Sequence, residues 1–371
     1  MKYFILTIMM LAGVAVQAQH YYLYTGTYTT GESKGIYIFD FNASSGKITP
    51  LGFADGIENP SYIAVSSDGR YLYAVNETGG EKPGSLSSFA IDKKTGNLRF
   101  LNNQPTGGDH PCYVDVDKKG NFVVAGNYSG GNLSVFKSTE GRLSPYVQLI
   151  QHTGSGENKM RQEKAHVHST RISPDQKFLF VPDLGIDKVM VYPFNASASM
   201  PIDESAGFAA EVSPGAGPRH ISFHPNRKWI YLMEEMSGNV SAFEFSNGQM
   251  KNIQTVSAHP DDYTDTKGSA DIHISSDGKF LYASNRAASN TIAIFSIDPS
   301  TGKLTTKGFQ STLGNTPRNF ALDPTGNYLL VANQQSNNIV VFKRDKKTGL
   351  LSETGTIIDV PSPVCLKFLK K

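Results

Sequence analysis

The 371-residue sequence has one tryptophan, Trp229, and two cysteines, Cys112 and Cys365. The internal repeat described below puts the cysteines on comparable inner strands of non-adjacent units. Buried free thiols are therefore expected rather than a disulfide. Charged residues are scarce, 18% of the chain against a usual ~25%, and balanced at 35 Lys+Arg to 33 Asp+Glu. No basic patch or tail stands out, which argues against nucleic acid as a partner. There is no Gly-x-Ser-x-Gly elbow for a hydrolase-fold serine. Phosphate-cradling P-loops and dinucleotide fingerprints are missing too. So are Cys/His zinc spacings and calcium loops. His166-x-His168 has a chelating spacing with carboxylates nearby, but the expectation is no metal and no cofactor.

Glycine and aromatics are plentiful: 35 Gly, 17 Tyr and 21 Phe, with 39% of the chain apolar. Turn formers plus aromatics, with few helix-forming charges, predict an all-β chain, and the aromatic and β-branched content excludes disorder. The one long apolar run is at the start. Met1-Lys2 precedes Phe4–Val16, and Val16-Gln17-Ala18 has the small-residue pattern of a signal-peptidase site. This reads as a secretory signal, residues 1–18, cut after Ala18. The run is shorter than the ~20 residues of a spanning helix. The mature chain, 19–371, is therefore expected to be periplasmic or secreted, with no membrane partner.

Length alone suggests two or three domains, a prior that fails for repeats. One unit recurs: NPSYIAVSSDGRYLYAVNE at 59–77, HPCYVDVDKKGNFVVAGNY at 110–128, and GPRHISFHPNRKWIYLMEE at 217–235. Further copies stand at 167–185, 269–287 and 316–334. The shared turn position falls at Gly69, Gly120, Gln176, Arg227, Gly278 and Gly326, at spacings of 51, 56, 51, 51 and 48. Each copy reads as strand, turn, apolar strand, and two more strand signals follow. Four strands per ~50 residues without a long helix is the pattern of a propeller blade. Residues 21–28 and 35–41 resemble a second and third strand with no first, and 362–369 resemble a first strand with nothing after. The expected architecture is a seven-bladed β-propeller whose last strand completes the N-terminal blade and removes the free edge.

Register then gives a site map. The start of a blade's first strand and the end of its second lie on one face of the disc. The first set is Ser61, Cys112, His168, Arg219, Ala270, Arg318 and Val364; the second is Glu77, Tyr128, Leu184, Glu235, Arg286 and Gln334. The residue before each of the second set is nearly always Asx and is expected to cap the turn. A repeat needs the same residue for the same structural job, so changes of chemical type at equivalent positions mark candidates for function. His168, Arg219, Glu235 and Arg286 come from consecutive blades and form one sector at the channel mouth. Arg318 extends it, Glu77 faces it, and His166 and His220 adjoin it. Guanidiniums suit an anionic substrate, and a histidine suits proton transfer. His273 reads as structural, and His110, His152, His224 and His259, in turns or loops, as solvated.

The chain resembles the seven-bladed propeller lactonase family, which includes bacterial 6-phosphogluconolactonase and fungal carboxy-cis,cis-muconate cyclase. The resemblance spans nearly all of the mature chain. It shows in Tyr24-Thr-Gly-Thr-Tyr28, Ala125-Gly-Asn-Tyr-Ser-Gly-Gly131, His166-Val-His-Ser169, Gly217-Pro-Arg-His220, Ser284-Asn-Arg286 and Thr316-Pro-Arg318. It implies catalytic roles for His168, Arg219, Glu235 and Arg286. Met233-Glu-Glu235 departs from the family's frequent Asn-Glu. The resemblance also implies metal-independent hydrolysis of a small anionic lactone, with His168 or His166 activating water, the arginines holding negative charge, and Glu235 orienting an arginine or shuttling a proton. Export fits poorly with a phosphorylated cytoplasmic metabolite and points to another sugar or aldonic lactone. A non-catalytic binding propeller and a muconate-type lactonising cyclase are the alternatives. The sequence leaves the oligomeric state open.

Overall fold

The computed structural model describes residues 19–371 except 247; the signal-peptide reading of residues 1–18 lies outside them. Each repeat folds as its pattern dictates. In the second, Pro111–Val116 and Phe122–Asn127 pair antiparallel across the Asp117-to-Asn121 turn. Asn132–Thr139 and Arg142–Gln151 add the outer pair. Seven such four-stranded sheets make up the described residues. Counting from Ile63–Val65, six blades are continuous in sequence. In the seventh, Pro363–Lys370 pairs with His20–Thr27, which pairs in turn with Ile36–Asn42 and Lys47–Ala54. Cys112 and Cys365 are free and buried, as expected.

The shared turn position has a backbone reason. Gly69, Gly120, Gln176, Arg227, Gly278 and Gly326 all hold positive φ, from 61° to 73°. Glycine takes that left-handed conformation freely, whereas other residues incur about 1–2 kcal/mol of strain. The exposed Arg227 side chain makes no hydrogen bond with a described residue. Arg227→Gly is therefore expected to raise stability by about 0.5–1 kcal/mol, the relieved strain less the extra chain entropy of glycine. Urea denaturation checks this, and a destabilised variant would refute it.

Apolar side chains fill the gaps between neighbouring blades. Trp229, Tyr231 and Met233 of blade four pack on Leu281, Ala283 and Phe295 of blade five. Tyrosines on second strands also peg one blade to the next blade's outer turn. Tyr24 donates to the Gly96 carbonyl, Tyr231 to Gly302 (2.8 Å) and Tyr282 to Gly349 (2.7 Å). This absorbs much of the aromatic excess without exposing it.

Two expectations are corrected. The Asx before each register position does more than cap the turn: Asp183 caps it, accepting from the Gly185 amide at 3.0 Å, and Asn127 and Asn333 bond Asn132 and Asn338 across it, but the asparagines also bind outside it. Asn76, Asn127, Asn285 and Asn333 donate to Glu58, Thr106, Ala258 and Thr312 carbonyls, fastening the linker that enters the blade. Three histidines expected in solvent are buried, because a turn on one blade lies against its neighbour. His152 reaches Asp183 and Tyr192, His224 reaches the Gly278 carbonyl, and His259 lies beside Ser269. Of the four, His110 alone is exposed.

Candidate active site

The ring of inner positions is aimed at the channel by a repeated irregularity. Pairing shifts register around Cys112, Arg219, Arg318 and Val364, and between Ser269 and Ile272. A bulge lets one residue escape the pleat and re-aims its side chain. Proline precedes the bulged residue at Pro111, Pro218, Pro317 and Pro363. Before each proline comes a left-handed residue: His110, Gly217, Thr316 and Ser362. Blade three lacks this motif. There the inner strand shrinks to Arg171–Ile172, and His168 is held by its own amide on the Pro182 carbonyl, 3.0 Å away.

At this mouth Glu235 collects the sector. Its Oε2 lies 2.8 Å from Arg219 Nε, 3.0 Å from Arg286 Nη2 and 3.8 Å from His168 Nε2. Its Oε1 lies 2.6 Å from Arg161 Nη2. Backbone carbonyls fix two of these arginines: Arg219 donates to Ala270 (2.7 Å) and Arg286 to Gly268 (2.8 Å). Across the mouth, Glu77 accepts from the Tyr28 hydroxyl (2.9 Å) and from Ser61. Arg318 stands over the Tyr28 ring at 5.5 Å and has no hydrogen-bond partner among the described residues.

His166 and His220 are less free than their neighbours. His166 has the Tyr128 carbonyl on Nδ1 (3.0 Å) and Glu163 on Nε2 (3.1 Å), with its ring stacked on Tyr128. His220 sits below the mouth, its Nδ1 on Asp271 (2.8 Å) and its Nε2 beside Arg219 (3.3 Å). Asp271 also binds His273 (2.9 Å) and Asn319, so His273 belongs to this scaffold, as expected. Ser61, Glu77, Cys112, His168, Arg219 and Arg318 border a cavity of ≈ 10 Å³, room for about one water. At this level the space between the inner strands admits nothing larger.

Charge at the mouth is uneven: Arg161, Arg219, Arg286 and Arg318 face Glu77 and Glu235. Burial would push the Glu235 carboxyl up, but Arg286, Arg219, His168 and Arg161 together hold it well below the usual carboxylate range. Burial, reinforced by Arg219 and opposed by Glu235, holds the His168 imidazole well below its ordinary value. Burial brings Arg286 down to about 10 against the pull of Glu235. Neutral imidazole, ionised carboxylate and surplus cation therefore coexist here. Among the described residues, no three His, Cys, Asp or Glu side chains converge as a metal site.

Register reasoning missed Arg161, which comes from the 152–166 linker and not from a strand. Its signal was the spacing of 56, the one interval above 51. Tyr128 was on the register map but passed over as aromatic, and its hydroxyl accepts from Arg161 at 3.3 Å.

Comparison with known proteins bears on this site. Residues 22–368 match the family described as lactonase, seven-bladed β-propeller. A 6-phosphogluconolactonase of Bacillus subtilis is 40% identical over 349 residues, 93% of this chain and 97% of its own. Another, of Formosa agariphila, is 42% identical over 334 residues, 89% and 94% of the two chains. The solved structure of a periplasmic gluconolactonase of Pseudomonas aeruginosa aligns with a TM-score of 0.89 at 36% identity, covering 94% and 99%.

Proposed function

The chain belongs to the seven-bladed β-propeller lactonase family, and from that premise we propose that it is a carboxylic ester hydrolase opening sugar-type lactones at the channel mouth. The observation that carries this reading is the convergence of three guanidiniums, Arg161, Arg219 and Arg286, on the one carboxylate of Glu235 beside a neutral His168. The arginine surplus suits a substrate that is anionic or becomes so. Hydrolysis makes negative charge twice, on the tetrahedral oxygen and on the product carboxylate, and preorganised donors stabilise both.

The step runs as follows. Water, seated in the small cavity between His168 and Arg219, attacks the lactone carbonyl carbon. His168 takes its proton, Arg219 and Arg286 bind the oxyanion, and the ring C–O bond breaks. The proton then passes from His168 to the departing ring oxygen. Glu235, with both oxygens committed to guanidiniums, aligns the arginines. His220 positions Arg219 from below, and Arg318 and Glu77 line the far side for the sugar. Metal independence is part of the proposal: the two mouth carboxylates are engaged by Arg and hydroxyl donors, not open for a cation. We place the protein in the periplasm or outside the cell. The secretory pattern of residues 1–18 and the periplasmic Pseudomonas relative support this.

A pH-stat assay of the mature protein, dialysed against EDTA, tests the reading on a panel of aldonolactones with and without phosphate. Acceleration over buffer is expected for sugar lactones. No acceleration on any member would overturn the hydrolase reading in favour of a binding propeller or a cyclase.

A further inference from the structure

We propose that Arg161 is a specificity-determining residue, reading a second anionic group at the exocyclic end of the substrate. This rests on the lactonase reading of the mouth. Three observations set Arg161 apart from Arg219 and Arg286.

It is the one mouth arginine delivered by a linker, and that linker is built to present it. The next residue, Gln162, is buried, with its amide nitrogen on the Leu184 carbonyl (2.8 Å) and its oxygen accepting from the Asn158 amide (3.1 Å). The backbone under Arg161 is therefore anchored although its side chain reaches outward. Secondly, its guanidinium is only partly committed. Nη2 serves both Glu235 and Tyr128, while Nε and Nη1 have no partner among the described residues. Arg219 and Arg286, by contrast, spend donors on backbone carbonyls. Thirdly, the Arg161 side chain is 45% exposed, against 2% for Arg219 and 15% for Arg286. Arg219 and Arg286 lie deep, where the carbonyl reacts. Arg161 stands at the rim, where the far end of a bound sugar emerges.

A guanidinium with free Nε and Nη1 donors beside an already paired carboxylate can donate to the oxygens of a phosphate or carboxylate. The shared chemistry is a second anion on the sugar, and phosphate and carboxylate are its two sources. The probes are the stable open-chain acids: gluconate with one anion, 6-phosphogluconate with an added phosphate, and glucarate with an added carboxylate. Calorimetric titration of the mature protein is expected to show tighter binding of at least one two-anion acid than of gluconate. In Arg161→Gln that preference ratio should collapse about tenfold, and Arg161→Lys should restore part of it for phosphate, where a point charge suffices. A merely structural role would weaken all three acids in parallel and leave the ratio intact. That result, or a wild type that binds no two-anion acid more tightly than gluconate, would overturn the proposal. Which acid holds the preference identifies the source. A wild type with the preference but no hydrolysis of any lactone would sink the lactonase reading and leave the role of Arg161 standing.

Discussion

Glu235→Gln is expected to cost about 3 kcal/mol of stability and at least about a hundredfold in lactone turnover. The argument is one of charge. A single carboxylate pairs with Arg219 at 2.8 Å, Arg286 at 3.0 Å and Arg161 at 2.6 Å. Removing one partner of a buried ion pair leaves the other charge uncompensated, at about 3–5 kcal/mol. Here Arg219, 1% exposed, has room beside it for no more than about one water. Arg161 and Arg286 can turn outward, and the glutamine oxygen still accepts one hydrogen bond, so the lower end of that range applies. Turnover falls because the arginines that receive the oxyanion are no longer held in place.

Acid titration gives the prediction a sign. The carboxyl is held well below its unfolded value, so its stabilisation is complete above pH ~4.5 and disappears as pH falls through the folded value. The stability gap between wild type and Glu235→Gln should be constant from pH 8 to 5 and close only in stronger acid. Urea denaturation across that range measures it. A variant as stable as wild type at pH 7 would mean that the arginines do not depend on this carboxylate.

What the sequence disclosed about the site follows from how a repeat encodes geometry. Equal register positions become equal places on a ring, so Arg219, Glu235 and Arg286, different in type from their counterparts, had to meet. The closing strand was legible for the same reason: a first strand at 362–369 and a missing first strand at the N-terminus complete each other. Where register ends, legibility ended. Arg161 lies in a linker with no counterpart in the other blades, and only the extra length betrayed it. The bulges were hidden because one slipped residue changes no composition. The proline after each left-handed residue was visible in HPC, GPR, TPR and SPV but carried no meaning until the pairing was known. Loop histidines such as His152 were misjudged because their partners, Asp183 and Tyr192, belong to the next blade.

His168→Ala is expected to lower kcat by about 10²–10⁴, the range for loss of a positioned proton acceptor, with the fold retained. Retention follows from how His168 is held. Its backbone amide binds the Pro182 carbonyl, which alanine preserves, while its ring touches Cys112 Sγ and Glu235 only at 3.8 Å. The pH dependence separates a proton acceptor from a spacer. Because burial keeps the imidazole neutral well below its ordinary value, wild-type kcat/KM should pass through pH 6.5 without an acid limb and fall only in stronger acid. Stability should respond in the same sense as for Glu235, falling with pH, but in a window that opens higher. Below pH ~6.5 the unfolded chain takes up a proton that folded His168 refuses, so folding becomes less favourable, by up to about 2 kcal/mol at pH 5. The alanine variant lacks that burden and should lose less stability between pH 7 and 5 than wild type. An acid limb centred near 6.5, or unchanged turnover in the variant, would remove His168 from the proton path. The arginine cluster would then have to act on hydroxide from solution, with a rate rising in proportion to its concentration.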